Sequence, residues 1–199
     1  MTSRALSGVF RSLRLYQGHD APRAQMDRLY ARYLKPGDLA FDIGAHVGDR
    51  ISSFRRLGAR VLALEPQPLA MRALRLIHGK DPNVRLMPFA VASRRGTLRF
   101  RINSANPTVS TASSDFIQSA DGAEGWAGQE WDSEIEVRAE TLDDLIALAG
   151  RPNFVKIDVE GFETEVIGGA VETLANPALQ AVLMELNGSA ARYGFDEAG

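Results

Sequence analysis

The sequence predicts an α/β fold, a parallel sheet with helices on both faces, carrying an antiparallel hairpin as an insertion. Three observations predict it. Short apolar runs near residues 39, 60 and 84 are separated by stretches with helical spacing, the pattern of parallel βαβ winding. The same pattern resumes near residues 154 and 181. Between them, residues 97–103 and 135–138 alternate apolar and polar side chains, as half-exposed antiparallel strands do. With 199 residues, 45% of them hydrophobic, the chain can bury one sizeable core, so residues 1–199 are expected to form one domain.

Taken in order, residues 22–34 read as a helix, with Met26, Leu29, Tyr30 and Tyr33 at helical spacing and Pro22 suited to the first turn. Lys35-Pro36-Gly37-Asp38 breaks it and leads into the first strand. A helix over 49–57 stops at Gly58, the strand 60–64 ends at Glu65-Pro66, and a helix over 68–78 ends at Gly79. Residues 84–91 read as one continuous third strand. The two alternating strands then flank a polar excursion of roughly 30 residues, a length that in a compact domain is functional or disordered. A helix over 142–149, a strand over 154–159, a helix over 164–174 and a fifth parallel strand over 181–186 complete the pattern.

The densest chemical signal is Asp42-Ile43-Gly44-Ala45-His46-Val47-Gly48, a strand running into a glycine turn and then a helix. Twenty-one positions after Gly44, the second strand ends in the acid Glu65. Such a turn lets the backbone approach a nucleoside, and the acid at the next strand end takes ribose hydroxyls. An ordinary tight turn would use the same glycines. A dinucleotide site would carry a glycine where Ala45 stands, and Asp42 would repel a pyrophosphate at the helix N-terminus. S-adenosylmethionine (SAM) brings an ammonium and a sulfonium, which a carboxylate attracts, so the charge of the turn favours SAM over NAD. His46 caps the helix, lines the pocket or packs in the core.

Asp158 and Glu160 stand two apart at the end of one later strand, so that if the strand persists both point to one face, and Glu185 and Asn187 repeat the arrangement on the next. Ligands of parallel sheets bind beyond these strand ends. The four groups serve as hydroxyl-orienting or proton-accepting groups, as oxygen ligands of Mg²⁺, or as helix caps. Asp158 is expected closest to the cofactor and Glu160 on the acceptor side. The excursion carries Ser110 and Thr111, then Phe116, Trp126 and Trp131. It is a candidate lid with a sugar-stacking surface, or a cover for the core.

Charge narrows the partners. Up to Lys35 the chain has Arg4, Arg11, Arg14, Arg23, Arg28, Arg32 and Lys35 against Asp20 and Asp27. This is a solvated face or one that meets anionic lipid. Between Arg101 and Arg138 there is no cation, and the acidic face argues against nucleic acid. There is no cysteine, which excludes disulfides, thiolate metal sites and cysteine nucleophiles, and agrees with a cytoplasmic location. No apolar run approaches a membrane span, and an arginine-over-lysine bias fits a GC-rich bacterial genome.

Five motifs in order, Phe41-Asp42-Ile43-Gly44-Ala45-His46-Val47-Gly48, Leu64-Glu65-Pro66, Ala90-Val91-Ala92 with Gly96-Thr97-Leu98, Thr141-Leu142-Asp143-Asp144-Leu145 and Lys156-Ile157-Asp158-Val159-Glu160-Gly161-Phe162-Glu163, resemble the FkbM-type methyltransferases. The resemblance covers residues 35–187. It implies a Rossmann-like class I methyltransferase sheet and SAM-dependent transfer to a hydroxyl of a glycan, a sugar or a polyketide-type small molecule. It further implies that Asp42, Gly44, Ala45, His46 and Gly48 surround the methionine part of SAM, that Glu65 with Pro66 meets the ribose, and that Ala90 and Val91 lie near adenine. Acceptor contacts are expected from Ser110, Thr111, Trp126, Glu185 and Asn187. On this basis residues 1–35 form a basic helical lead-in, 36–96 the SAM-binding half, 97–140 the hairpin and lid, and 141–199 a shortened second half. Members of the class continue past the fifth strand with a helix and an antiparallel strand pair, which this sequence lacks. The fifth strand's edge is therefore expected to be open, and a homodimer is one way to cover it. The competing functions are a non-catalytic or partner-completed SAM-binding module and an NAD(P)-linked oxidoreductase.

Overall fold

The computed structural model describes residues 3–17, 20–123 and 126–185. Asn187 lies outside the described residues, as does the end of the expected fifth strand. Two helices lead in, α1 (Ser3–Gln17) and α2 (Asp20–Tyr30). The first half of the sheet then winds as β1 (Leu39–Ile43), α3 (Asp49–Arg56), β2 (Arg60–Leu64), α4 (Pro68–His78) and β3 (Val84–Met87). A second sheet follows from β4 (Ala90–Val91), β5 (Gly96–Ile102) and, after a 3₁₀ turn at Pro107–Val109 and helix α5 (Ser114–Ala120), β6 (Ser133–Glu140). Helix α6 (Leu142–Ala149), β7 (Phe154–Ile157), helices α7 (Glu163–Gly168) and α8 (Val171–Leu174) and β8 (Ala181–Met184) return to the first sheet.

The main sheet is parallel throughout, in the order β3-β2-β1-β7-β8. The order reverses direction between β1 and β2 on one side and β7 on the other, so the carboxyl ends of these strands flank the switch point where α/β sheets bind ligands. The central strands β1, β2 and β7 are buried on both faces, as their near-continuous apolar sequences require, while the edge strands β3 and β8 are only partly covered. Phe41, Ile43, Leu62, Leu64, Val155 and Ile157 face α6 and α7 through Leu142, Leu145 and Val166. Ala40, Val61, Ala63 and Phe154 face the opposite layer of Tyr30, Ile51, Phe54, Met71 and Leu74. There Tyr30, Phe54 and Phe154 meet edge to face with centroids 4.8, 5.5 and 5.7 Å apart, each pair adding about 1 kcal/mol to its burial.

Besides the strand expected over 154–159, which ends at Ile157, three elements differ from expectation, each for a local reason. The strand expected over 84–91 is two strands in two sheets, because Pro88 offers no N–H to continue a ladder. β4 instead pairs with β6, whose other edge carries β5 in antiparallel register. The helix expected over 164–174 breaks at Gly168-Gly169, where a Cβ on Gly169 would stand 2.3 Å from the Ala92 carbonyl oxygen. The helix expected over 22–34 ends at Tyr30, as Arg32 and Tyr33 bond three residues back in a closing turn.

The long excursion is an ordered cover. Ser113 caps α5 by accepting from the Phe116 amide, and Phe116 is buried against Trp126 and Trp131, with centroids 4.9 and 6.1 Å away. Trp131 donates its indole N–H to the Val109 carbonyl at 2.9 Å.

Candidate active site

A cavity of about 240 Å³ opens beyond the carboxyl ends of β1, β2 and β7 and is roofed by the insertion. Its floor is the turn after β1. Gly44 takes φ of +77° because there is no room for a side chain, since a Cβ would stand 1.9 Å from the Asp158 carbonyl oxygen. His46 follows with φ of +47°, and its amide donates to Glu65 Oε2 at 2.8 Å. The Gln67 amide donates to Glu65 Oε1 at 2.7 Å, so both oxygens of this buried carboxyl are oriented by backbone from two elements. Burial pushes the Glu65 carboxyl up to about 7 and the His46 imidazole down to about 4.

The opposite wall is the turn after β7. Strand geometry does not persist to Glu160, which takes φ of +53°, an uncommon left-handed conformation for a residue with a side chain. Neighbours hold the turn in place. Thr111 donates its hydroxyl to the Glu160 carbonyl at 2.7 Å, and Glu163 Oε1 accepts from the Val159 and Gly161 amides at 3.2 and 3.3 Å. Gly161 lies so close to Phe116 that a Cβ would sit 2.8 Å from that ring's own Cβ. The result turns Glu160 into the cavity beside Asp158 and Glu185. Burial, then the charges of Asp158, Glu185 and Glu163, pushes the Glu160 carboxyl up to about 8.

Beneath the cavity Asp42 and Lys156 are register partners on β1 and β7. The Lys156 ammonium reaches Asp158 Oδ2 at 3.0 Å, the Gly44 carbonyl at 3.1 Å and Asp42 Oδ1 at 3.6 Å. Asp42 is fully buried, accepts no hydrogen bond, and has its carboxyl raised to about 6 by burial against the opposing pull of Lys156.

Of the residues expected around a nucleoside, Gly44, Ala45, His46, Glu65, Pro66, Ala90, Val91 and Asp158 line the cavity. Asp42 lies below it, and Gly48 packs instead on α4, where its carbonyl meets His78 Nε2 at 3.2 Å. On the acceptor side, Glu160, Ser110 and Glu185 line the cavity. Thr111 acts one step back, through Glu160, and Trp126 packs on Phe116 away from the lining. Sequence reasoning passed over Lys156, Asp49, Arg50, Gln67, Phe89 and Phe162, all of which line the cavity. Lys156 was detectable: a lysine inside the apolar run Phe154–Ile157 must be buried and therefore paired. Among the described residues no group of three or more His, Asp or Glu side chains is set to hold a metal ion. None of the described helices is long and apolar enough to cross a membrane.

The family description that matches is the methyltransferase FkbM domain, over residues 42–197. The chain belongs to the FkbM methyltransferase family. Among relatives of this FkbM-type chain, the 2-O-methyltransferase NoeI of Sinorhizobium fredii is 28% identical over 146 residues, covering 70% of this chain and 60% of that protein. The chain thus matches about three fifths of that relative's length. The 31-O-demethyl-FK506 methyltransferase FkbM of Streptomyces tacrolimicus is 29% identical over 186 residues, covering 81% of this chain and 71% of that protein. Similar solved structures include a precorrin-6y C5,15-methyltransferase from Geobacter metallireducens, at 17% identity and TM-score 0.44, covering 86% of this chain and 67% of that one. A TehB-like SAM-dependent methyltransferase from Corynebacterium glutamicum has 14% identity and TM-score 0.41, covering 92% of this chain and 75% of that one.

Proposed function

We propose that this FkbM-type chain binds SAM in the cavity and catalyses transfer of its methyl group to a hydroxyl oxygen of a small-molecule or glycan acceptor. The observation that carries this is the sign of the cavity. Asp49, Glu65, Asp158, Glu160 and Glu185 line it against only Arg50 and Lys156, at the carboxyl ends of parallel strands. A pyrophosphate would meet repulsion there, whereas a ligand with an ammonium and a sulfonium would meet attraction. The buried carboxyl of Asp42 under the turn, which accepts no hydrogen bond and pairs with Lys156 at 3.6 Å, adds an acid to the same region. The relatives are named for O-methyl transfer, which supports a hydroxyl acceptor.

SAM, when bound, supplies an electrophilic methyl on a sulfonium. The chain supplies the rest. Glu65, already fixed by two amides, takes the ribose hydroxyls, with Gly44, Ala45 and His46 beside the methionine part and Ala90 and Val91 beside the base. Asp158 and Glu160 orient the acceptor hydroxyl, and Glu160 takes its proton. A cation bound nearby lowers the raised Glu160 pKa, so the base becomes ionised when the site is loaded. General-base assistance of this kind contributes about 10²–10⁴-fold, the remainder coming from orientation in a water-poor cavity. Phe89, Phe100 and Phe162 supply apolar walls for the acceptor.

Calorimetric titration with SAM, with NAD as control, followed by transfer of a labelled methyl group to a panel of hydroxylated acceptors, tests the reading. Micromolar SAM binding without NAD binding is expected. NAD binding without SAM binding would replace it with an oxidoreductase.

A further inference from the structure

We propose that Lys156 is the positioning residue of this site: its ammonium, shared by Asp42, Asp158 and the Gly44 carbonyl, sets the charge that the cavity's carboxyl groups present to a cationic cosubstrate. The inference rests on the SAM reading above.

Geometry carries it. The Lys156 ammonium bonds the Asp158 carboxylate at 3.0 Å and the Gly44 carbonyl at 3.1 Å, and it pairs with the Asp42 carboxyl through charge alone at 3.6 Å. One partner belongs to the glycine turn of β1, one to the buried strand beneath it, and one to the cavity wall. Lys156 therefore ties both turns of the site to one charge. The lysine is 5% exposed, and the wholly buried Asp42 accepts no hydrogen bond among the described residues, so Lys156 is the cation in direct reach of its carboxyl there. Asp158 is the exception. Its side chain is 26% exposed, so one oxygen is held by Lys156 while the group still faces the cavity.

The surrounding groups make the ammonium decisive. Tyr30 faces Asp42 from α2, Asp49 and Arg50 stand at the start of α3, and His46 sits in the β1 turn. Glu65 follows β2, Glu163 starts α7, and Glu185 follows β8. This set is rich in carboxyl groups, and burial raises Asp42, Glu65, Glu160 and Glu163 while Glu185 is raised chiefly by Asp158. Lys156 opposes that trend at Asp42, Glu65, Glu160 and Glu185. Without it the carboxyl groups hold their protons to higher pH, so the pH range over which the cavity gains negative charge moves upward.

The test is SAM affinity as a function of pH for the unmodified chain, Lys156→Met and Lys156→Arg. The ligand's own amine titrates alike in every arm, so only differences between curves are read. In the unmodified chain affinity rises with pH as the carboxyl groups ionise. In Lys156→Met the same rise is expected about one pH unit higher. Lys156→Arg keeps the charge and restores the position of the curve. Asp158→Asn removes a carboxylate that raises Glu160, and it displaces the rise toward lower pH; this arm stands even if Lys156→Met does not fold. Curves that fall in parallel without displacement overturn the proposal, because a purely structural role predicts that result. No SAM binding by the unmodified chain at any pH overturns the cosubstrate reading itself, and the proposal with it.

Discussion

Two turns face each other across the cavity, each with one glycine and one side-chain-bearing residue at positive φ (Gly44 and His46 in the first, Gly161 and Glu160 in the second), and they differ in what the strained position serves. The turn after β1 places Gly44 at positive φ, where a side chain would collide with the Asp158 carbonyl. The turn after β7 places Glu160 at positive φ and keeps the side chain, holding the conformation with Thr111 and Glu163. A non-glycine residue in the left-handed region costs on the order of 1 kcal/mol, and such residues cluster where a side chain is needed more than the stability it costs. The first turn is thus shaped for fit and the second for chemistry. The difference is testable because substitutions in the two turns should fail in different assays.

The largest effect is expected at the first turn. Gly44→Ala places a methyl group where the Asp158 carbonyl already stands, so the two strand ends must separate. A loss of about 3–5 kcal/mol is expected in chemical denaturation. A variant of unchanged stability but without SAM affinity would assign the glycine to the ligand and erase the contrast. At the second turn the order reverses. Glu160→Gln should fold normally and lose about 10²-fold or more in turnover, as expected for a lost general base. Glu160→Gly sharpens the point: it relieves the backbone strain and the buried acid together, so it should gain about 1 kcal/mol while losing activity. Glu160→Gly less stable than the unmodified chain would make this residue structural.

The asymmetry also explains what was legible in the sequence. Gly44, Gly48, Glu65 and the spacing between them announce a parallel sheet and its turn, because glycine in a strand-to-helix turn is a local signal. Gly44 proved necessary because of a residue 114 positions away, Asp158, which local pattern cannot reveal. Asp158 and Glu160 were found by their place at a strand end, although the expected common strand face does not exist, since β7 stops at Ile157. What joins them is a turn held by Thr111, Glu163 and Phe116, from elements scattered over the chain. The division of residues 84–91 between two sheets followed from Pro88, a signal present in the sequence that the reading of one strand did not use. Trp126 and Trp131 read in the sequence as a cover for the core more than as a sugar platform, and their packing on Phe116 is what places them as a cover.

A smaller effect is expected one step behind the second turn. Thr111→Val keeps the shape but removes the hydroxyl that donates to the Glu160 carbonyl and accepts from the Ser113 amide. A stability loss of about 1 kcal/mol is expected for these bonds. Turnover should fall by more than the lost stability explains, because the Glu160 carboxyl is then aimed less firmly. Equal losses would mean the hydroxyl serves only the fold.

The subtlest consequence is a slope. Carboxyl groups whose pKa is raised by folding stabilise the fold in their protonated form. That contribution is complete below the unfolded value, near 4.5 for a glutamate, and is lost as pH rises through the folded value. For Glu65 and Glu160 the folded values are about 7 and about 8. His46, lowered to about 4, acts the other way, but only below its ordinary pKa, where the unfolded chain takes up a proton and the folded one does not. Above about pH 6.5 that opposing contribution has ended, and the carboxyl groups alone remain. Stability should therefore decline steadily between about pH 6.5 and 8.5. Glu160→Gln, which has no proton to lose, should flatten the upper part of the decline, whereas Gly44→Ala should lower the curve without changing its slope. A slope unaltered by Glu160→Gln would mean that Glu160 is not the group releasing its proton there, and the second turn would lose its claim to the chemistry.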